Sequence, residues 1–389
     1  MEIRRMAAAD MLSSEKTRHM VFHGSMDVEK RAADLAEHPA DPKGWWGCYE
    51  GGELAASVCD TEFDMRFDGH TVKMGGIGGV NTLPEYRMNG CIRKIMMEVL
   101  KAGRENGEIF SSLYPFQHSF YRKFGYEPCW IYQRYTIPMA ELANFKHTGW
   151  AKIWKKGDDV SEYTRLYNEH SAGQNCAVVR DDQRMKKRIS DTPFKDQKYM
   201  YLLGDEEGAC AYVCWQWKLA STGGNLFSVQ DYAYVGSKGL KALFGFMGRF
   251  TAEYAAAEIR LPREADPRLF VKHPYDITVR DGCDFMARIM NVPKALELMK
   301  KPENCRFIVG VTDEMLPENS GNWLVTNEGV EKTEEAADLT VSIHRLNQLV
   351  LGFANLDAAM MHDDICLHDN EEMLRKTFVS KTIHIEEFF

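Results

Sequence analysis

A chain of 389 residues at roughly 100–200 residues per domain makes two or three domains. Its 44% aliphatic, aromatic and Cys content with 27% charge supports a sizeable core without metal or disulfide staples. With 57 acidic against 48 basic residues the net charge is −9, which argues against a basic nucleic-acid footprint and favours cationic partners such as polyamines.

No run reaches the ~18 apolar residues of a membrane span, and Met1-Glu2-Ile3-Arg4-Arg5 does not open a signal peptide. The ten cysteines stand singly, without any C-x-x-C; Cys210 and Cys214 sit in an apolar strand-like run. Reduced thiols, no zinc and a cytoplasmic location are the expectation, with neither a nucleic-acid nor a membrane partner.

Taken in order, Trp45 to Tyr49 reads as a strand, Glu50-Gly51-Gly52-Glu53 as a turn and Leu54 to Phe63 as the returning strand. His70 to Leu83 is a glycine-rich extended run, stopped by Pro84. Cys91 to Arg104 is a helix, with Ile92, Ile95, Met96, Val99 and Leu100 on one face. Glu108 to Tyr114 is a strand, His118 to Phe124 a short helix stopped by Gly125, and Trp130 to Ile137 a further strand.

The middle third repeats this order: strand Tyr199 to Leu203, acidic turn Asp205 to Gly208, strands Ala209 to Trp217 and Leu226 to Val235, and a helix from Gly239 to Ala257. A duplicated domain is expected. In the last third, Val292 to Lys300 is a helix. Cys305 to Thr312, Asn322 to Thr326 and Ala337 to Ile343 are strands, and short helices fill Arg345 to Arg375. The β-prone tail Thr382 to Phe389 ends on two aromatics, which predicts a docked rather than a frayed end.

The segment Gly75-Gly76-Ile77-Gly78-Gly79-Val80-Asn81-Thr82-Leu83-Pro84-Glu85-Tyr86-Arg87-Met88-Asn89-Gly90-Cys91-Ile92-Arg93 carries the most chemistry. A glycine-rich strand runs into a turn that opens a helix, and the first amides of a helix bind anions such as pyrophosphate. Arg87 and Arg93 add charge, or are ordinary solvated helix-terminus residues. A Walker A loop is excluded because no Lys-Ser or Lys-Thr follows. A dinucleotide fingerprint is excluded because the glycines lie within the strand.

What remains is R-x-x-G at the helix start, followed about 30 residues later by Phe120-Tyr121-x-x-Phe124-Gly125-Tyr126. Together they resemble the acetyl-CoA loop, [Q/R]-x-x-G-x-[G/A], and the F-Y-x-x-x-G-[FY] signature of the GNAT acetyltransferase superfamily. Ile92 departs from the first pattern at its last position. The run L-Y-P-F-x-H-x-F-Y-R-x-F-G-Y-E, the degenerate second copy and the terminal aromatic narrow the resemblance to the enhanced intracellular survival (Eis) family of N-acetyltransferases. That resemblance spans essentially the whole chain and is specific from Val80 to Pro128.

The resemblance implies an α/β (α+β) fold in three parts. Residues 1–150 would be the GNAT domain with the acetyl-CoA site, 151–285 a degenerate GNAT-like domain, and 286–389 a sterol carrier protein-like domain. It implies acetyl-CoA as co-substrate, held by Val80, Asn81 and Thr82 along the strand and by Arg87, Met88, Asn89, Gly90, Cys91, Ile92 and Arg93 at the loop. Phe116 and Gln117 would border the pantetheine end. Tyr121 would protonate the departing thiolate, and the carboxylate of Phe389 would act as base, its affinity for protons raised by Glu386 and Glu387. It also implies a homo-oligomer, a hexamer in relatives.

Other features are open. Trp45 and Trp46 line an amine pocket by cation–π contact or belong to a strand core; Glu387 is a further candidate on the acceptor side. His118 is a structural histidine before it is a base. His362-Asp363-Asp364 lacks a second ligand cluster, so no metal is expected. The central copy has Val235-Gly236-Ser237-Lys238-Gly239 where a cofactor loop would lie and no second signature, which leaves one cofactor site per chain. The expected reaction is acetylation of a primary amine on a cationic small molecule, aminoglycoside-like or polyamine-like. Its rivals are acetylation of protein lysine and a lipid or small-molecule carrier with a vestigial transferase.

Overall fold

The computed structural model describes residues 1–22, 24–220, 223–262 and 265–389. The chain folds as two compact units. One comprises Met1–Trp130, Asp284–Lys381 and Glu387–Phe389; the other comprises Ile131–Cys283 and Thr382–Glu386. Among the described residues no helix is long and apolar enough to cross a membrane. All ten cysteines are free thiols, most of them buried.

In the first unit, strands Glu2–Arg5, Trp45–Glu50, Glu53–Phe67 and His70–Thr82 pair antiparallel in that order. Gly51-Gly52 and Asp68-Gly69 both adopt positive φ at the two hairpin tips, the conformation that matches the twist of the strands they join. The glycine strand His70–Thr82 then pairs parallel with Phe110–Leu113, from Met74↔Phe110 to Ile77↔Leu113. Phe110–Leu113 in turn pairs antiparallel with the segment Met286 to Ile289. The helix Cys91–Glu105 lies over this sheet and buries Cys91, Ile95, Met96, Val99 and Leu100 against Ala55, Val58 and Ile77, the stripe its spacing requires.

The same unit holds a five-stranded sheet in the order Val330–Thr333, Gly321–Thr326, Arg306–Thr312, Leu339–Ser342, Ile365–Leu367. Its helix Ile343–Leu351 is buried along nearly its whole length. Polar groups hold this part to the first sheet. The fully buried Arg288 guanidinium meets Asp313 at 2.6 Å and donates to the Phe124 carbonyl. Asn347 accepts from the Ile289 amide at 2.8 Å and donates to the Gly125 carbonyl at 2.8 Å.

The second unit repeats the strand logic. Lys198–Asp205, Gly208–Leu219 and Asn225–Tyr234 form an antiparallel meander, and Asn225–Tyr234 pairs parallel with Ala256–Leu261. The aromatic core of Trp215, Phe227, Phe244 and Phe246 sits beneath. The helix expected from Gly239 to Ala257 instead spans Gly236–Met247 and is followed by a short turn, Gly248–Phe250, and the strand Ala256–Leu261. The aromatic spacing continues past the helix end because Phe250 and Tyr254 pack on Trp215 and Phe227 from a turn. The tail segment Thr382–Glu386 docks here without forming a regular strand. Asn175 brackets it, donating to the Thr382 carbonyl at 2.9 Å and accepting from the His384 amide at 3.0 Å.

Candidate functional site

The parallel pairing of the first sheet stops at Ile77 and Leu113, and beyond those residues the two strands part. Two features enforce the fork. Pro115, two residues past Leu113, has no amide hydrogen to continue a ladder. On the other side Ser57 pairs with Asn81 and Cys59 with Gly78, so Gly79 and Val80 together face Val58 alone. This bulge bends the glycine strand, and Gly79 takes the left-handed conformation it needs at φ +57°. Asn81 locks the bulge, its amide donating to Ser57 Oγ at 2.8 Å and to the Gly79 carbonyl at 2.7 Å. The Asn81 side-chain oxygen is buried without a protein hydrogen bond, an acceptor suited to a bound donor.

Leaving the fork, the chain passes Pro84–Tyr86 and opens the helix Cys91–Glu105. Met88 and Gly90 both have positive φ, at +67° and +79°, which turns the loop outward. No side chain caps the helix start, so its first amides remain open to an anion. Arg87, Met88, Asn89, Gly90 and Arg93 are exposed there, Ile92 is half-buried, and Cys91 is buried in the core. Val80 and Thr82 are half-buried along the fork. The residues expected to hold acetyl-CoA thus lie along the bulged strand and at the uncapped helix start, where main-chain groups and helix charge are open to an anion.

The end of the chain closes the opposite part of the fork. A Cβ on Gly78 would lie 2.5 Å from the carboxyl carbon of Phe389, and one on Gly76 would lie 2.8 Å from its ring. Only bare backbone leaves room for this residue. The Phe389 ring packs on Phe63 at 5.2 Å and Tyr114 at 5.4 Å, and Phe388 stacks on Tyr114 at 5.1 Å. The Tyr114 hydroxyl donates to the Glu387 carbonyl at 2.6 Å. The Glu387 residue is itself buried. Glu386, one residue earlier, has its carboxylate 3.8 Å from Arg260 in the second unit, and burial raises its affinity for a proton.

Tyr121 sits in the short helix His118–Arg122, buried within an aromatic group of Phe116, Phe120 and Tyr126. Burial pushes its phenol well above the ordinary value of 10, so it stays protonated. Tyr126, by contrast, is a core residue whose hydroxyl meets Ser111 Oγ at 2.7 Å. Phe116 and Gln117 are exposed at the start of that helix. Trp45 and Trp46 each carry a protein cation, Arg18 at 4.8 Å and Arg5 at 4.5 Å. Trp46 packs on the first-unit core, while Trp45 lies under Gly79, where a Cβ would meet its ring at 2.6 Å.

Tyr114, Phe63, Gly76 and Gly78 were not among the expected site residues. Their only sequence signal is the unusual density of glycine opposite a terminal aromatic pair. Among the described residues, Glu141, His273 and Asp276 bring ligand atoms within 4.8 Å of one another. Glu141 is already engaged there by the Lys272 and His273 amides and by His273 Nδ1 at 2.6 Å.

Comparison with known proteins accords with this geometry. Residues 2–129 match the acetyltransferase (GNAT) domain family, and residues 292–384 match the sterol carrier protein domain family. An uncharacterized N-acetyltransferase of Streptomyces griseus is 22% identical over 334 residues, 79% of each chain. Among solved structures, a probable N-acyltransferase from Enterococcus faecalis superposes with a TM-score of 0.86 at 22% identity, over 100% of this chain and 99% of that one. A GCN5-related N-acetyltransferase from Anabaena variabilis gives 0.85 at 19% identity, and Eis1 from Mycobacterium abscessus gives 0.81 at 18%. Both cover 100% of each chain.

Proposed function

Because this chain is a GNAT-type N-acetyltransferase that carries a C-terminal sterol carrier protein domain, we propose that it transfers the acetyl group of acetyl-CoA to a primary amine of a cationic small molecule, aminoglycoside-like or polyamine-like. The observation that carries this reading is the Phe389 carboxyl group seated on Gly78 at the strand fork. A carboxylate at that place takes the proton from the incoming ammonium, directly or through a water, and the neutral amine attacks the thioester in one ternary complex. Tyr121, kept protonated by burial, donates to the departing thiolate. Main-chain amides along Val80, Asn81 and Thr82 polarise the thioester carbonyl, and the open helix start with Arg87 and Arg93 holds the pyrophosphate.

The same reading keeps the division at 1–150, 151–285 and 286–389, a cytoplasmic location and a homohexamer. Trp45, Trp46 and Glu387 are the acceptor-side candidates of this reading; both tryptophans pack on apolar clusters, and each is faced by a protein guanidinium. The test is thiol release from acetyl-CoA with protein ending at Phe389, across aminoglycosides, polyamines and a lysine peptide. Turnover should require a multi-amine acceptor, and it should fall by about 10²–10⁴-fold when residues are appended after Phe389. Unchanged turnover in the extended protein overturns the base assignment. Preference for the lysine peptide moves the acceptor class to protein.

A further inference from the structure

The second unit contains a fork of its own. Parallel pairing between Asn225–Tyr234 and Ala256–Leu261 covers only Leu226↔Ala256, Phe227↔Ala257 and Ser228↔Glu258. Immediately beyond, the register against the neighbouring strand slips between Val229 and Asp231, leaving Gln230 as an extra residue. This is the same device found in the first unit, where a bulge falls just past the end of the parallel ladder. Here a cavity of about 170 Å³ fills the parting, lined by Arg134, Lys218, Ser228, Gln230, Glu258 and Arg260 among others.

Its chemistry differs from that of the first fork. That one is floored by glycine and main chain, whereas this one is lined by three cations and one acid, with a second acid, Glu386, beside Arg260. Lys218 and Arg134 share Glu258, at 3.1 and 3.6 Å, so one carboxylate answers two positive charges. The Arg260 guanidinium lies over Tyr132 at 5.1 Å and 3.8 Å from Glu386. Gln230 and Ser228 add polar groups at the rim of the bulge, the Gln230 amide donating to the Ser228 carbonyl and hydroxyl at 3.3 and 3.0 Å.

A nucleotide is excluded as occupant. The lysine at the following helix start, Lys238, is held by Asp205 at 2.7 Å and Glu207 at 2.5 Å, where a pyrophosphate would need it. The cavity is also well below the ~300–1,000 Å³ of pockets for drug-sized ligands.

We propose that this second fork is a binding site for a small molecule bearing a compact oxyanion, a phosphate or a carboxylate group. Guanidinium groups present planar paired donors that match both. The bulge gives the site its opening, and the excess of cations over acids gives it its sign. It is independent of the acetyl-transfer reading, because every lining residue belongs to the second unit.

The experiment is calorimetric titration of the full chain with inorganic phosphate and, separately, with succinate, in the presence and absence of coenzyme A. Saturable binding of at least one anion is expected to persist with coenzyme A present. Arg134→Gln and Arg260→Gln should each weaken it about tenfold or more, and Arg134→Lys should recover part of the loss. Gln230→Glu, at a half-buried rim position with no ion pair to lose, should weaken it comparably by adding a negative charge. Lys294→Gln, at an exposed position outside both forks, should leave it unchanged. Phosphate alone binding identifies phosphate esters as the ligand class, and succinate alone identifies carboxylates. Absence of saturable binding by either, or equal affinity in the Arg134, Arg260 and Gln230 variants, overturns the proposal.

Discussion

The hydroxyl of Tyr114 donates to the main-chain carbonyl of Glu387 at 2.6 Å while its ring stacks on Phe388 at 5.1 Å. One side chain thereby fixes two of the last three residues. Replacing it with Phe removes that hydrogen bond, about 1 kcal/mol, and leaves the stacking. Tyr114→Phe should lower kcat about fivefold, and Tyr114→Ala should lower it much further. Equal kcat in all three proteins would mean that the docked tail does not set the rate.

Gly78 is a sharper probe. A methyl group there would lie 2.5 Å from the Phe389 carboxyl carbon, closer than any side chain tolerates. Gly78→Ala should displace the terminal carboxylate and cost about 10²–10⁴ in kcat, while coenzyme A affinity measured by direct titration stays near that of the parent. Unchanged kcat, or a loss of turnover matched by a loss of coenzyme A affinity, would contradict the assignment.

Burial holds the Tyr121 phenol above its ordinary value of 10. Its neutral form is therefore favoured, and it should remain a proton donor through any alkaline range the protein survives. Tyr121→Phe should lower the plateau of the kcat–pH profile about 10²–10⁴-fold without moving either limb. A shifted alkaline limb would show that the group titrates within the working range.

Asp60 and Glu108 converge on one spot beside Gly75. A Cβ on Gly75 would lie 2.5 Å from Asp60 Oδ1 and 2.4 Å from Glu108 Oε2. Desolvation raises both carboxyls, and each adds like charge nearby: Glu62 on Asp60, Asp60 on Glu108. The folded protein thus binds more protons than the unfolded chain from the ordinary carboxylate range upward. Stability is greatest below that range and falls as pH rises through it toward the raised folded values, then levels. Glu108→Gln should flatten this decline and raise Tm at pH 8 by about 3–6 °C. An unchanged slope of Tm against pH would show that the pair is ionised together.

Arg288 is fully buried, with Asp313 at 2.6 Å. Arg288→Met leaves that carboxylate uncompensated and should cost about 3–5 kcal/mol, read as an early unfolding step in denaturant. Arg288→Met combined with Asp313→Leu should recover much of the loss.

The glycine strand and the loop after it were legible in the sequence because their signals are local. Pro84 stops a strand, Gly90 allows the left-handed turn, and Ile95, Met96, Val99 and Leu100 repeat at helical spacing. Gly125 likewise ends its helix at φ +82°. The helices Met11–Val21 and Val28–Glu37 were not legible. The first buries Ser14, Glu15 and Thr17 as well as Met11, and the second buries nothing fully, so neither shows a clean apolar stripe. The expected helix ran on to Ala257, over the first two residues of the strand Ala256–Leu261, because the aromatic spacing continues through the turn before it. The seat of Phe389 was out of reach for a different reason. Gly76 and Phe389 are brought together by tertiary packing, and nothing in either segment alone specifies the other.

The floor of the site is made of atoms that every residue shares. Main chain at Gly76 and Gly78 has no side chain to exchange, and any replacement at those positions collides with the residue lying on it. Selection for a new acceptor therefore has no lever on this floor. On the proposed reading, a change of acceptor scope is open to the residues around it, such as Phe63 and Tyr114, and closed to the glycine pair.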